Sequence, residues 1–176
     1  AGRPPGVGEI GKLRAAIGER LPELLAAIDK EAVVPAARRD ELHALAADIL
    51  RLDTMEAEAR YVETFDRGRA TSLHMFEHVH GDSRDRGPAM IDLIQTYEQA
   101  GLLLGDDELP DHLPVLLEFA STQPAPQARE FLGELAHILQ VIFGALLQRE
   151  SAYASVIGAL LDLAGQPCQA VKLPVE

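Results

Sequence analysis

Cysteine occurs once in these 176 residues, tryptophan not at all, and aromatic side chains make up only 5%. A single thiol, Cys168, excludes an internal disulfide and any zinc site built on cysteine pairs, and is compatible with a reducing compartment. Long hydrophobic runs are missing too. The richest, Ala136 to Leu147, is broken by Gln140 and Gly144, so nothing approaches the roughly 20 apolar residues that cross a bilayer as a helix. Membrane insertion is not expected. Cations are scarce, 16 Lys and Arg against 28 Asp and Glu, for a net charge of −12; nucleic acid is an unexpected partner, because holding phosphates requires a basic face. Strand signals are absent as well: no segment alternates apolar and polar residues over strand length, and no Asn-Gly or Asp-Gly turn joins β-rich runs.

What is abundant is Ala and Leu at helical spacing. Ile10, Leu13, Ile17, Leu21, Leu24 and Ile28 line one face of a helix over about residues 9–29, with Pro22 as a kink site. After Val33-Val34-Pro35, Leu42, Leu45 and Ile49 mark a second helix. Asp53 and Glu56 have capping-box spacing for a third, with Met55, Ala59, Val62 and Phe65 inward and Gly68 ending it in the left-handed conformation. Thr71 or Ser72 caps a short helix carrying Leu73, Phe76 and Val79 that stops at Gly81. Pro88 opens a helix with Met90, Ile91, Ile94 and Tyr97 inward, closed by Gly101. Asp111 is placed to cap a helix bearing Leu113, Leu116, Leu117 and Phe119, and a long helix is expected over 127–149. Ser151 starts a last one that stops at Gly165 and Pro167, before an aperiodic tail over 166–176 that reads as loose. The expected fold is all-α: one domain over residues 1–176, a bundle of seven to eight helices. The start, AGRPPGVGEIGKL, does not read as a secretory signal, and without an initiator Met further residues are expected upstream.

Polar chemistry concentrates in FDRGRATSLHMFEHVHGDSRDRG, residues 65–87, which holds four of thirteen arginines, three of six histidines and four carboxylates. A metal reading uses His74, Glu77, His78 and His80, but the chain has neither HExxH nor a second Glu-x-x-His pair. Nucleophilic chemistry finds no elbow or partner base around Ser72, Ser83 or Cys168, and GRATS lacks the spacing and lysine of a phosphate loop. No catalytic or metal residues and no cofactor are assigned. Arg67, Arg69, Arg84 and Arg86 match Asp66, Glu77, Asp82 and Asp85 in number, which fits either an internal ion-pair network or a mixed-charge rim around an apolar, peptide-binding groove. Met75 is the residue assigned to an adaptable surface, since Met accommodates varied partners.

The segments YVETFDRGRATSLHMFEHVHGDSRDRGPAMIDL (61–93), YEQAGL (97–102) and ELPDHLPVLLEF (108–119) resemble the respiratory nitrate reductase molybdenum cofactor assembly chaperones, the NarJ members of the TorD-like redox enzyme maturation chaperones. The likeness is nearly unbroken over 61–119 and one of helical pattern elsewhere. It implies an all-helical, cytoplasmic binding protein, not an enzyme, that holds the N-terminal peptide and apo form of the nitrate reductase catalytic subunit during cofactor insertion and delays membrane docking. Molybdenum cofactor biosynthesis proteins are implied as further partners, and the chain itself as a monomer or weak homodimer. Carried onto this sequence, the implied peptide site comprises Phe65, Asp66, Arg67, Arg69, Ser72, Met75, Phe76, Glu77, His78, His80, Arg84, Asp85, Arg86, Asp111 and His112. A short leading helix with a Leu-Tyr-Pro-like stretch and a longer acidic tail, usual in the family, are not present. A metal or cofactor carrier using the His74/Glu77/His78/His80 cluster is the alternative reading, and a nucleotide-linked accessory enzyme ranks last.

Overall fold

A computed structural model describes the backbone of residues 7–169 and the side chains from residue 18 to 169. Among these residues the chain is all-α, with nine helices in the order α1 (Val7–Glu31), α2 (Ala36–Arg51), α3 (Thr54–Phe65), α4 (Met75–Val79), α5 (Arg86–Gln99), α6 (Leu113–Thr122), α7 (Ala125–Glu134), α8 (Ala136–Gln148) and α9 (Ala154–Ala164). A single 3-10 turn, Arg69–Thr71, lies between α3 and α4.

Local signals set most boundaries. Pro35 precedes α2, and the capping box before α3 is formed: Asp53 Oδ1 accepts the Glu56 N–H at 2.9 Å while Glu56 Oε2 accepts the Asp53 N–H at 3.4 Å. Gly101 and Gly165 are left-handed and complete C-terminal caps, in which Leu102 N–H reaches the Tyr97 carbonyl and Gln166 N–H the Leu161 carbonyl, both at 2.9 Å. Glu150 takes the same left-handed conformation after α8, at φ 52°.

The core forms where α8 and α9 pack together, with Leu139, Ile142, Leu146 and Leu161 fully buried. Each such side chain contributes about 1.5–3 kcal/mol through the apolar surface it removes from water. The Arg38 guanidinium lies where a side chain at Gly158 would stand. It donates to Asp162 Oδ2 at 3.0 Å and so pins α2 to α9.

The structure corrects several expectations. The long helix over 127–149 is two helices meeting at Leu135 with a 63° bend, which brings the count to nine; Gly133 weakens the helix just before the break, and both halves pack on α9. The inner face assigned to α3 holds only at its C-terminal end: Phe65 is buried as expected, with Thr64 beside it, whereas Met55 is 79% exposed and Val62 faces solvent. Ile91 is likewise exposed. Cys168 does not sit in a loose tail, since its thiol contacts Asp162 Oδ1 and accepts from Arg38 Nη2 at 3.3 Å, and Gln140 Nε2 donates to the Pro167 carbonyl at 3.0 Å. The rest of the expected tail, 170–176, lies outside the described residues, as do the side chains of Ile10, Leu13 and Ile17. Among the described residues no single helix is long and apolar enough to cross a membrane.

Candidate functional site

The polar segment winds from the end of α3 through the 3-10 turn and α4 to the start of α5. Its path is fixed from inside. Thr71 is fully buried, and its hydroxyl donates to the Thr64 carbonyl; Arg149, 85 positions on from Thr64, donates to the Glu63 and Thr64 carbonyls at 3.4 and 3.3 Å. These bonds satisfy the last carbonyls of α3, which have no partner within the helix. Gly68 is extended, φ −169°, and α3 ends at Phe65 with Asp66 as its cap, so a left-handed glycine is not what stops the helix. A methyl group at Gly68 would stand 2.7 Å from Arg149 Nη2, so the arginine tip lies directly against this glycine. At Gly81, φ 51°, the glycine suits the left-handed turn, and the Arg69 guanidinium lies against it.

Neither Thr71 nor Ser72 caps α4, whose N-cap position is His74, without a side-chain bond. The cap comes from elsewhere in the chain. Met75 N–H donates to the Asp111 carbonyl and Phe76 N–H to Asp111 Oδ2, both at 3.0 Å. Asp111 therefore caps α4 and not its own α6, whose N-cap is His112. Leu113 N–H returns to the Leu73 carbonyl at 2.8 Å, completing an antiparallel bridge between His74 and His112. The two imidazoles stack at 4.9 Å and 25°. Asp111 Oδ1 faces His74 Nδ1 at 3.6 Å, each without a hydrogen-bond partner among the described residues. Burial, then the neighbouring His74, holds the His112 imidazole below its ordinary pKa. Tyr97 donates to the Pro110 carbonyl at 2.7 Å, so α5 also anchors this connector; burial pushes its phenol well above the usual range.

In front of this scaffold lies an open cleft of about 490 Å³ lined by Phe65, Asp66, Gly68, Arg69, Ser72, His74, Glu77, Asp82 and Arg86. Six of the expected site residues are among them. The cleft is mixed, with three carboxylates against two guanidiniums around Phe65, and so is less apolar than the groove expected there. Arg86 and Glu77 approach at 3.9 Å; Asp66, Arg69 and Asp82 have no ion pair among the described residues. A dense internal ion-pair network is therefore not what this segment builds. Arg67 turns away and pairs with Glu63 at 2.9 Å.

Other expected site residues serve the scaffold. Met75 is fully buried in the core rather than on an adaptable surface, and Asp111 is 0% exposed, so neither rims the cleft. His78 Nε2 donates to the Ser72 carbonyl at 2.8 Å, His80 lies edge-on to Phe76, and Ser83 and Asp85 bond each other within their loop. Arg84 is exposed away from the cleft lining, and His112 stacks behind His74. His74, Glu77, His78 and His80 do not converge; among the described residues no group of three or more His, Cys, Asp or Glu is placed to hold a metal ion. Gly68, His74 and Asp82 join the cleft without having been assigned to the peptide site. Asp82 was visible in the same polar run; Arg149 left no signal near it in sequence.

A second groove of about 630 Å³ is apolar and lies elsewhere, along α6, α7 and α9, with Val33, Leu117, Leu132, Leu160 and Leu163 in its walls.

Comparison with known proteins places the chain among relatives. The family described as "Nitrate reductase delta subunit" matches residues 11–157. The chain is 47% identical over 153 residues to the nitrate reductase molybdenum cofactor assembly chaperone NarJ of Escherichia coli K12, covering 85% of this chain and 64% of that protein. It is 46% identical over 138 residues to the probable nitrate reductase molybdenum cofactor assembly chaperone NarW of the same strain, 77% of this chain and 60% of that one. The nitrate reductase-like protein NarX of Mycobacterium tuberculosis H37Rv is 38% identical over 139 residues, which cover 78% of this chain and 20% of NarX. The chain thus spans less than two thirds of the length of these relatives.

Proposed function

The chain belongs to the nitrate reductase delta subunit family, and from that premise we propose that it is a nitrate reductase assembly chaperone. In this reading it binds the N-terminal segment of the apo catalytic subunit in the cytoplasm and holds it for molybdenum cofactor insertion before membrane docking. The names of NarJ and NarW supply the assembly role. The observation that carries the binding mode is the mixed-charge cleft before Phe65, where Asp66, Arg69 and Asp82 present charges that have no ion pair within the described chain. A peptide bearing Lys or Arg supplies the partner that Asp66 and Asp82 lack, and charge-assisted bonds to it are the stronger class of hydrogen bond. The chain's net charge of −12 adds long-range attraction that salt screens. The function is one of binding, with Asp111, His78 and Arg149 holding the wall against which the client lies.

Calorimetric titration with the first ~15 to 30 residues of the catalytic subunit, a length able to form an amphipathic helix, tests it. Saturable binding that weakens as salt rises is expected, with a further loss of about tenfold when Asp66 and Asp82 are both changed to Lys. Absence of binding at low salt overturns the proposal.

A further inference from the structure

Behind the turn formed by residues 66–69 lies another cleft, of about 460 Å³, lined by Arg60, Glu63, Thr64, Arg67, Arg149, Glu150 and Ser151. Three of the thirteen arginines of a strongly acidic chain meet there against two carboxylates. Each guanidinium is engaged through Nη1 alone: Arg60 with Asp48 Oδ2, Arg67 with Glu63 Oε2 and Arg149 with the Glu63 and Thr64 carbonyls. The other N–H donors of these forks have no partner among the described residues, and a guanidinium presents five donors in a geometry that matches a carboxylate. The Arg60 and Arg67 pairs are solvent-exposed, so exchanging their carboxylates for another costs little.

The two clefts adjoin. Gly68 lines the front one, Arg149 lines the rear one, and Arg149 Nη2 comes to within 2.7 Å of where a Gly68 side chain would begin. No side chain at position 68 separates the front compartment, three carboxylates against two guanidiniums, from the rear one, three guanidiniums against two carboxylates. Glu150, left-handed at φ 52° directly after Arg149, bends the chain at the rear rim, a backbone state that a residue other than glycine adopts at a cost.

We infer that the two compartments form one bipolar track, and that the client segment carries a cation lodged by Asp66 and Asp82 and, further along, a carboxylate that crosses Gly68 to Arg60, Arg67 and Arg149. This rests on the chaperone reading above and adds the charge pattern the client must have. Arg60 and Arg67 become specificity-determining contacts, with Arg149 both a contact and a positioning residue.

The test uses the full chain and the same N-terminal peptide in two forms, natural and with every Asp and Glu replaced by its amide, titrated against wild type, R60E/R67E and D66K/D82K. The amide form is expected to bind wild type about tenfold more weakly than the natural one, the scale of one charge-assisted pair. R60E/R67E should weaken the natural peptide comparably and leave the amide form unchanged, whereas D66K/D82K should weaken both. The peptide comparison on wild type needs no variant, and R67E alone, at a side chain 70% exposed, stands in if the double change impairs folding. Equal affinity of the two peptides for wild type, or a natural peptide indifferent to the arginine variants but still lost on D66K/D82K, overturns the bipolar track and leaves the front cleft standing. Failure of the natural peptide to bind wild type overturns both.

Discussion

Asp111 carries more of the site than any other residue, and does so without touching the cleft. Fully buried, it donates no bond and accepts those of Met75 and Phe76, so the N-terminus of α4 is fixed by a residue 35 positions away from Phe76. Asp111→Ala should lower the unfolding free energy in urea by about 1–3 kcal/mol, the cost of losing a cap and stranding a buried donor, and Asp111→Asn should restore part of it. Sequence spacing identified Asp111 as a capping residue but assigned it to α6, because composition reveals which side chain can cap and not which helix the fold brings to it. Its neighbour His112 offers a pH readout. Burial and His74 lower the folded-state pKa of His112; Asp111, Glu108 and Asp66 oppose this more weakly. The folded chain therefore holds the His112 proton less tightly than the unfolded chain does. The stabilisation is present above the unfolded value of about 6.5 and is lost as pH falls toward the depressed folded value. Stability should decline on acidification below pH ~6.5, and His112→Gln should flatten that part of the profile; an unchanged profile would contradict the assignment.

At the scale of elements, helix type and most termini were legible because caps and glycines act locally: Asp53–Glu56, Gly81, Gly101 and Gly165 all do what their spacing implies. Faces and breaks were less so. The stripe on α3 has the right period, yet its direction depends on which neighbour the helix meets, and Met55 ends up in solvent. The bend at Leu135 has only Gly133 as a local cue; the packing of α7 and α8 on α9 decides it. Glu150 at the end of α8 shows the reverse case, a left-handed cap that sequence does not announce because the residue is not glycine. Glu150→Gly removes the steric cost of that conformation and should raise stability by about 1 kcal/mol, read from the midpoint of urea unfolding with an unchanged slope.

For the whole molecule, the polar segment and the PDHLP connector, separated in sequence, meet through the His74–His112 bridge, and together they set one charged face. The sequence pointed to this neighbourhood by density of charge and by family likeness. It did not reveal that Met75 and Asp111 lie inside, that polar and apolar surface share the cleft, or that a more apolar groove runs along α6, α7 and α9, since side-chain direction follows from packing that no single segment encodes. The central claim is therefore one of location: the client lies on the charged cleft. Hydrogen exchange of the chain with and without the client's N-terminal peptide tests it most directly. Protection over residues 65–86, extending to 110–113, is the expected result; protection confined to α6, α7 and α9 around Leu117, Leu132 and Leu163, with 65–86 unchanged, would contradict it.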